Sequence, residues 1–264
     1  MKKLPFLFLI LLLLNNCSTV PLTGRKQLSI IPASELNSLS FDSYKQVLKE
    51  NKLSTNAVWT SMVKNCGNRT QKAVESYMSQ KGLSSHLKGF QWEFNLLESQ
   101  TVNAFCMPGG KVAFYTGIMP ICQDESGVAV VMGHEIAHAI ANHGGERMSQ
   151  GLIQQMGGVA LAVALKEKPE STQQLALAAY GVGSTVFGVL PYSRLHESEA
   201  DKMGLIFMAM AGYDPREAPK FWERMSKLNK GTKPPEFIST HPSDQSRINA
   251  LNKAMPEALK YYKH

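Results

Sequence analysis

In the stretch "GHEIAHAIANHGG", Gly133 to Gly145, His134 and His138 stand four residues apart with Glu135 between them. A helix turns by about 100° per residue, so the two histidines lie about 40° apart around the axis and one turn apart along it. Both imidazoles can reach one metal ion. Glu135, rotated by about 100° from His134, stands beside that ion without ligating it. This is the spacing of a zinc site whose glutamate acts as general base toward water. The helix is apolar on either side, "VAVVM" before and "AIA" after, and a buried His-Glu-His group would be costly there without a metal or other partners. His143 comes about 140° round from His138 and is expected to point away, as a structural or surface residue near the helix end. A third ligand further along this helix would need glycine at 141 and histidine at 144, and the chain has Ala141 and Gly144 there.

A catalytic zinc site takes three protein ligands and keeps one position open. The segment "HESEAD", His196 to Asp201, can supply the third. Glu197 and Asp201 are four apart on one helical face, so Glu197 can ligate while Asp201 accepts a hydrogen bond from a ligand histidine and fixes its tautomer. The same carboxylates can instead form a solvated acidic face with Glu199, paired with Arg194 and Lys202.

Several elements must position these residues. Apolar spacing from Ser34 to Lys49 predicts a helix with Ser34 as N-cap, and a second helix is expected over about Asn68 to Lys81, ended by Gly82. "QWEFNLLES" alternates as a strand. "TVNAFCMPGGKVAFYTG" reads as a hairpin turning at Pro108, Gly109 and Gly110, with Lys111 to Thr116 as its second strand. These make a small antiparallel sheet. From Asp124, an expected cap, a long helical pattern carries the histidines and is interrupted only by Gly144 and Gly145. Two Gly/Ala-rich segments, Gly151 to Leu165 and Gln173 to Leu190, are each short for a membrane span of about 20 residues. They are expected to pack on the domain or to form a flap over its cleft. A helix ending at Gly212, another entered through Asp214 and Pro215, and a loop "STHPSDQ" leading into a last helix complete the chain.

The beginning of the chain carries different information. "MKKLPFLFLILLLLNN" is a basic start followed by an apolar run from Leu4 to Leu14, the size of a secretory signal core. Cys17 directly after it resembles the acylated cysteine of bacterial lipoproteins, with Leu14 at the expected apolar position and Asn16 where a small residue is usual. Ser18 after that cysteine is the outer-membrane sorting choice by the same resemblance. Residues 17–33, with two prolines and a glycine, read as a lipid-anchored tether or N-terminal arm. Loss of Lys2 and Lys3 takes the formal charge from +7 to +5, and the remaining basic residues are scattered, which argues against nucleic-acid binding. Cys66, Cys106 and Cys122 leave one disulfide and one thiol as an open arrangement in an oxidising compartment.

"HEIAH", then "ESEAD" about sixty residues later, then "THPSDQSRI" together resemble the HtpX-like and CAAX-prenyl-protease-type metallopeptidases, which are gluzincins. The soluble or lipid-anchored periplasmic branch is the nearest in pattern. The resemblance implies an α+β, mostly helical zincin-like domain over residues 34–264. It implies one Zn2+ held by His134, His138 and Glu197, with Glu135 as base and Asp201 behind a ligand. It also puts His241 near the zinc, stabilising the oxyanion or filling the open position. The strand Lys111, Val112, Ala113, Phe114 is expected to be the edge on which an extended peptide aligns by backbone pairing. The function implied is endopeptidase cleavage of unfolded or misassembled proteins in the cell envelope, at the periplasmic face of the outer membrane through the lipid on Cys17, with the inner membrane as the alternative. Two other readings stand beside it: a zinc-holding, chaperone-like scaffold with little proteolysis, and an integral membrane protease whose Gly/Ala-rich segments insert.

Overall fold

The computed structural model describes residues 17–185, 190–228, 235–242 and 244–263. The signal segment expected over residues 1–16 lies outside the described residues, as do residues 186–189 near the end of the second Gly/Ala-rich segment.

Residues 17–33 are docked on the domain as an N-terminal arm. Strands β1 (Cys17–Thr19) and β2 (Lys26–Leu28) pair antiparallel, and Gly24 takes φ +72° in the turn between them, a conformation that suits a residue without Cβ. Val20 is buried in the main core, and the Ile30 amide donates to Ser149 Oγ at 3.1 Å. Proline and glycine here shape a turn instead of preventing structure.

Helix α1 spans Ala33–Glu50. Its N-cap is Pro32, which makes no side-chain cap bond, so Ser34 lies inside the first turn instead of capping it. Helix α2, Ala57–Gln80, begins well before the expected start, where the Asn56 side chain accepts from the Trp59 amide. Gly67, which obscures the periodicity, is needed because a Cβ there would stand 2.4 Å from the Phe94 ring.

Strands β3 (Glu93–Leu97), β4 (Ala104–Met107) and β5 (Lys111–Tyr115) form a sheet in the order β3-β5-β4. The hairpin between β4 and β5 is antiparallel as expected, and β3 runs parallel to β5. The sheet is therefore mixed, with β5 in its centre.

After a short helix α3 (Met119–Cys122), Asp124 caps α4 (Glu125–Ile140) by accepting from the Gly127 amide at 2.9 Å. Helix α4 is buried on almost every face, packed by α2, by β4 and by two later helices, α7 (Leu190–Met210) and α8 (Glu217–Lys227). A helix apolar all round belongs in such a place. It stops at Asn142, whose φ of +54° redirects the chain into α5 (His143–Ala164). Helices α5 and α6 (Glu170–Ser184) pack on each other, and α6 buries no residue. No helix among the described residues is long and apolar enough to cross a membrane.

Helix α7 ends at Gly212, with φ +84°. A short helix α9 (Glu236–Thr240) and then α10 (Gln245–Leu259), capped by Asp244, close the chain. Trp222, Phe207, Phe221 and Phe237 are each at most 1% exposed in the core, and full burial of such a side chain contributes about 1.5–3 kcal/mol. Helices α4 and α7 meet through Gly133 and Gly204, where a Cβ on Gly133 would stand 2.7 Å from the Gly204 carbonyl oxygen. This glycine contact sets how closely the two helices approach. Cys66, Cys106 and Cys122 are free thiols, so of the arrangements the sequence leaves open the structure has the one without a disulfide among them.

Candidate metal centre

Helix α4 delivers His134, Glu135 and His138 into the interior, and α7 delivers Glu197 and Asp201 opposite them; all five are under 9% exposed. The solvated acidic face is thereby excluded, because Glu197, Glu199 and Asp201 are all buried. His134 Nε2 and His138 Nε2 are 3.1 Å apart. Each stands 3.3 Å from a Glu197 carboxylate oxygen. Donors bound tetrahedrally at about 2.0–2.1 Å from one ion would be about 3.3 Å apart, so two nitrogens and one carboxylate at these spacings suit zinc.

A fourth donor shares the cluster. His241, on the loop between α9 and α10, brings Nδ1 to 3.2 Å from His134 Nε2 and 3.0 Å from Glu197 Oε2. Candidate ligand atoms of His134, His138, Glu197 and His241 all lie within 4.8 Å of one another. Its other nitrogen, Nε2, is 3.4 Å from Glu135 Oε1, and that carboxylate oxygen is buried without a hydrogen bond. An orphaned buried carboxylate oxygen beside the donor set is the group expected to meet a water or substrate proton.

Asp201 stands behind the His134 ring. Its Oδ1 accepts from His134 Nδ1 at 3.0 Å, leaving Nε2 of that ring for the metal side. Arg247, from the first turns of α10, clamps the same carboxylate through two bonds of 2.9 and 2.7 Å and reaches Glu197 at 3.3 Å. Its guanidinium lies 3.4 Å above the Trp222 ring, a desolvated cation–π contact of the stronger kind. Arg247 lies within the "THPSDQSRI" segment, and nothing local to that segment shows which acid it will meet.

His143 departs most from expectation. It is fully buried, and its Nδ1 lies 2.8 Å from His138 Nδ1. The 140° rotation assumed one continuous helix, and the left-handed residue Asn142 breaks that geometry and swings His143 back toward His138. It is not among the clustered candidate ligand atoms, but it touches His138, which is. Behind it, His143 Nε2 meets Glu199 Oε2 at 3.2 Å, and His196 Nε2 meets Glu146 Oε2 at 2.8 Å. Arg25 of the β1–β2 turn bonds both carboxylates.

The electrostatics follow from this packing. Burial works against a charged His134, but Asp201 and Glu197 outweigh it and raise its pKa to about 9. Burial holds His138 well below the ordinary histidine value. Burial would raise Glu197, yet the surrounding histidines lower it strongly. Burial likewise opposes ionisation of Glu146 and Glu199, but hydrogen bonds from His196 and Arg25 to the first, and from His143, Thr23 and Arg25 to the second, bring both down to about 2.

The expected substrate strand is corrected. Lys111, Val112, Ala113 and Phe114 belong to the central strand, hydrogen-bonded on both sides, and Val112, Ala113 and Phe114 are buried. They have no free edge for a peptide. The edge strand packed on α4 is β4, and its Cys106 is close enough to Glu135 to feel that charge. A hairpin motif locates two strands without saying which of them a third will cover.

A profile of Peptidase family M48 matches residues 68–255, the span from α2 to α10 that holds the whole cluster. The chain is 36% identical over 197 residues to the mitochondrial metalloendopeptidase OMA1 of Arabidopsis thaliana, covering 73% of this chain and 38% of that protein. It is 37% identical over 186 residues to the protein of the same name from Saccharomyces cerevisiae, covering 68% of this chain and 51% of that one. The beta-barrel assembly-enhancing protease of Escherichia coli is 29% identical over 185 residues, 65% of this chain and 37% of its own length. The chain thus spans only about a third to a half of these relatives.

Proposed function

This chain belongs to Peptidase family M48, and from that premise we propose that it is a zinc-dependent endopeptidase. The observation that carries the reading is the convergence of His134, His138 and Glu197 beside the orphaned carboxylate oxygen of Glu135. Zinc held by those three residues would supply Lewis-acid polarisation of a water and of the scissile carbonyl. Glu135 takes the proton from the attacking water and returns it to the leaving amine. Asp201, fixed by Arg247, keeps the His134 ring in the ligating tautomer. Strand β4 offers backbone groups to an extended peptide, which favours unfolded segments over particular sequences.

The further proposal is that the substrates are misfolded or misassembled envelope proteins, with the chain anchored through lipid on Cys17 at the periplasmic face of the outer membrane. Its support is the Leu4–Leu14 run before Cys17 and the similarity to a relative named for β-barrel assembly. Labelling with a fatty acid that disappears in Cys17→Ser tests the anchor, and unchanged labelling would sink it.

One observation favours a latent form of the same enzyme. His241 Nδ1 sits among the metal-side donors, where substrate or water must otherwise enter. Purified wild type, Glu135→Gln and His241→Ala should be compared on unfolded casein with zinc content measured. Glu135→Gln should keep zinc and lose about 10²–10⁴-fold in rate. His241→Ala should keep zinc and cleave faster than wild type if the position is self-blocked. Zinc-loaded protein that cleaves nothing, even as His241→Ala, would replace this proposal with a zinc-holding scaffold.

A further inference from the structure

Behind His138 lies a chain of polar contacts that ends on the N-terminal hairpin. His138 Nδ1 is 2.8 Å from His143 Nδ1, His143 Nε2 is 3.2 Å from Glu199 Oε2, and Arg25 Nε donates to that same oxygen at 2.8 Å. Thr23 Oγ1 donates to the other oxygen of Glu199 at 2.6 Å. The remaining two nitrogens of Arg25 grip both oxygens of Glu146, at 2.9 and 2.7 Å.

The proton positions along this chain are determined from its two ends. His138 turns Nε2 toward His134 and Glu197, so a metal on that nitrogen leaves the proton on Nδ1. Nδ1–H then donates to His143 Nδ1, which must be a bare acceptor. The proton of His143 therefore sits on Nε2 and donates to Glu199, which as a carboxylate can only accept. Arg25 Nε and Thr23 Oγ1 also donate to Glu199, so its other contacts are donors as well. Every group in the line has one role, and each role requires the one behind it. The cluster is not a second cation site, because Arg25 already fills the place between its two carboxylates.

We propose that Arg25 is a positioning residue of the metal centre: carried in by the N-terminal hairpin, it fixes Glu199, and through the His143 ring it fixes the orientation and tautomer of the ligand His138. Asp201 and Arg247 do the corresponding work for His134 on the other side. The two ligand histidines are then each backed by a carboxylate–arginine pair, directly for His134 and through one intervening imidazole for His138. Metal affinity consequently depends on a segment, residues 20–25, that precedes the span matched by the family profile. Thr23 supports the arrangement, and the Val20 amide, donating to the Arg25 carbonyl at 2.8 Å, closes the turn that presents both side chains.

The inference rests on the metal reading of the preceding subsection, and the experiment separates the two. Full-length wild type, Arg25→Met, Arg25→Lys, His143→Phe and the double variant Arg25→Met/His143→Phe are compared by chelator competition for Zn2+ and by the visible spectrum of the Co2+ form. Removing partners behind a ligand histidine weakens metal binding by about 10–100-fold, and that loss is expected for Arg25→Met. Arg25→Lys, which keeps the charge but cannot span both carboxylates, should lie between it and wild type. In the His143→Phe background the Arg25 substitution should cost little more, because the path to His138 is already cut. The Co2+ spectrum should change in intensity with Arg25→Met, which a loss of global stability alone would not produce. Should Arg25→Met fail to fold, Arg25→Lys and His143→Phe carry the comparison. Wild-type affinity in both Arg25 variants, or full additivity with His143→Phe, overturns the positioning role. Wild type that holds no zinc overturns the metal reading itself.

Discussion

The substitution Gly204→Ala tests whether the spacing between two helices is what builds the metal centre. Gly204 on α7 faces the backbone of α4 at His134, a proposed ligand: a Cβ there would lie 2.9 Å from the His134 amide nitrogen and 3.1 Å from its Cα. Ordinary contact begins near 3.4 Å, so the helices must separate by roughly half an ångström. Alanine gains about 1 kcal/mol in helix propensity over glycine, whereas overpacking costs about 1–3 kcal/mol. The net destabilisation is then about 0–2 kcal/mol, and each kcal/mol lowers the melting temperature by about 2–4 °C in a domain of this size. The fold should survive. The site should not, because a metal centre tolerates ligand displacements of only about 0.2 Å and Glu197 moves with α7 away from both histidines. Chelator competition should show a loss of zinc affinity much larger than the melting shift implies, with peptide cleavage falling alongside it. Gly151→Ala, where a Cβ meets nothing within 4 Å, serves as the control and should be neutral or slightly stabilising. A Gly204→Ala protein with wild-type zinc affinity and cleavage would refute the argument that this contact sets the ligand geometry.

Arg247→Met should cost about 3–5 kcal/mol in urea unfolding, since it strips the cationic arginine from buried Asp201, and a loss under about 1 kcal/mol would show that the His134 contact alone satisfies that carboxylate. Glu146 and Glu199, held at about 2 against an ordinary 4.5, add stability that is complete above pH 4.5 and fades as pH falls toward 2. The urea midpoint should therefore drop steeply over that interval and drop less in Glu146→Gln, and equal slopes would discount the pair. Burial raises the Cys66 thiol to about 12 and Cys122 higher still, so thiol reagents at pH 8 should leave both unlabelled until the protein unfolds. Rapid labelling of either in the native protein would contradict their burial.

Much of the centre is legible from local sequence because helical periodicity is a short-range property. His134, Glu135 and His138 are placed by the turn of one helix, and Glu197 and Asp201 by the turn of another. Asp124 and Gly212 end their helices where capping chemistry predicts. The failures share a different cause. Helix α2 begins at Ala57, ahead of the expected Asn68, and Gly67 falls inside it where Phe94 lies against the backbone. One residue's backbone decides His143: Asn142 at φ +54° turns a side chain that helical spacing predicts to point outward into a partner of His138.

What the sequence by itself determined is the set of chemical groups and the helical faces that present them, since side-chain identity and a 3.6-residue period need no distant neighbour. Only the tertiary structure decided which strand keeps an open edge, because β5 becomes central when β3, separated from it by the β4 hairpin, pairs alongside it. It also decided which charges stand behind the ligands. Arg25 meets Glu199 and Arg247 meets Asp201 across sequence separations of 174 and 46 residues, and no periodicity in a chain encodes a meeting of that kind. Those contacts exist because carboxylates buried by the packing of α4, α5 and α7 need compensating charge, and the fold brings an arginine to each.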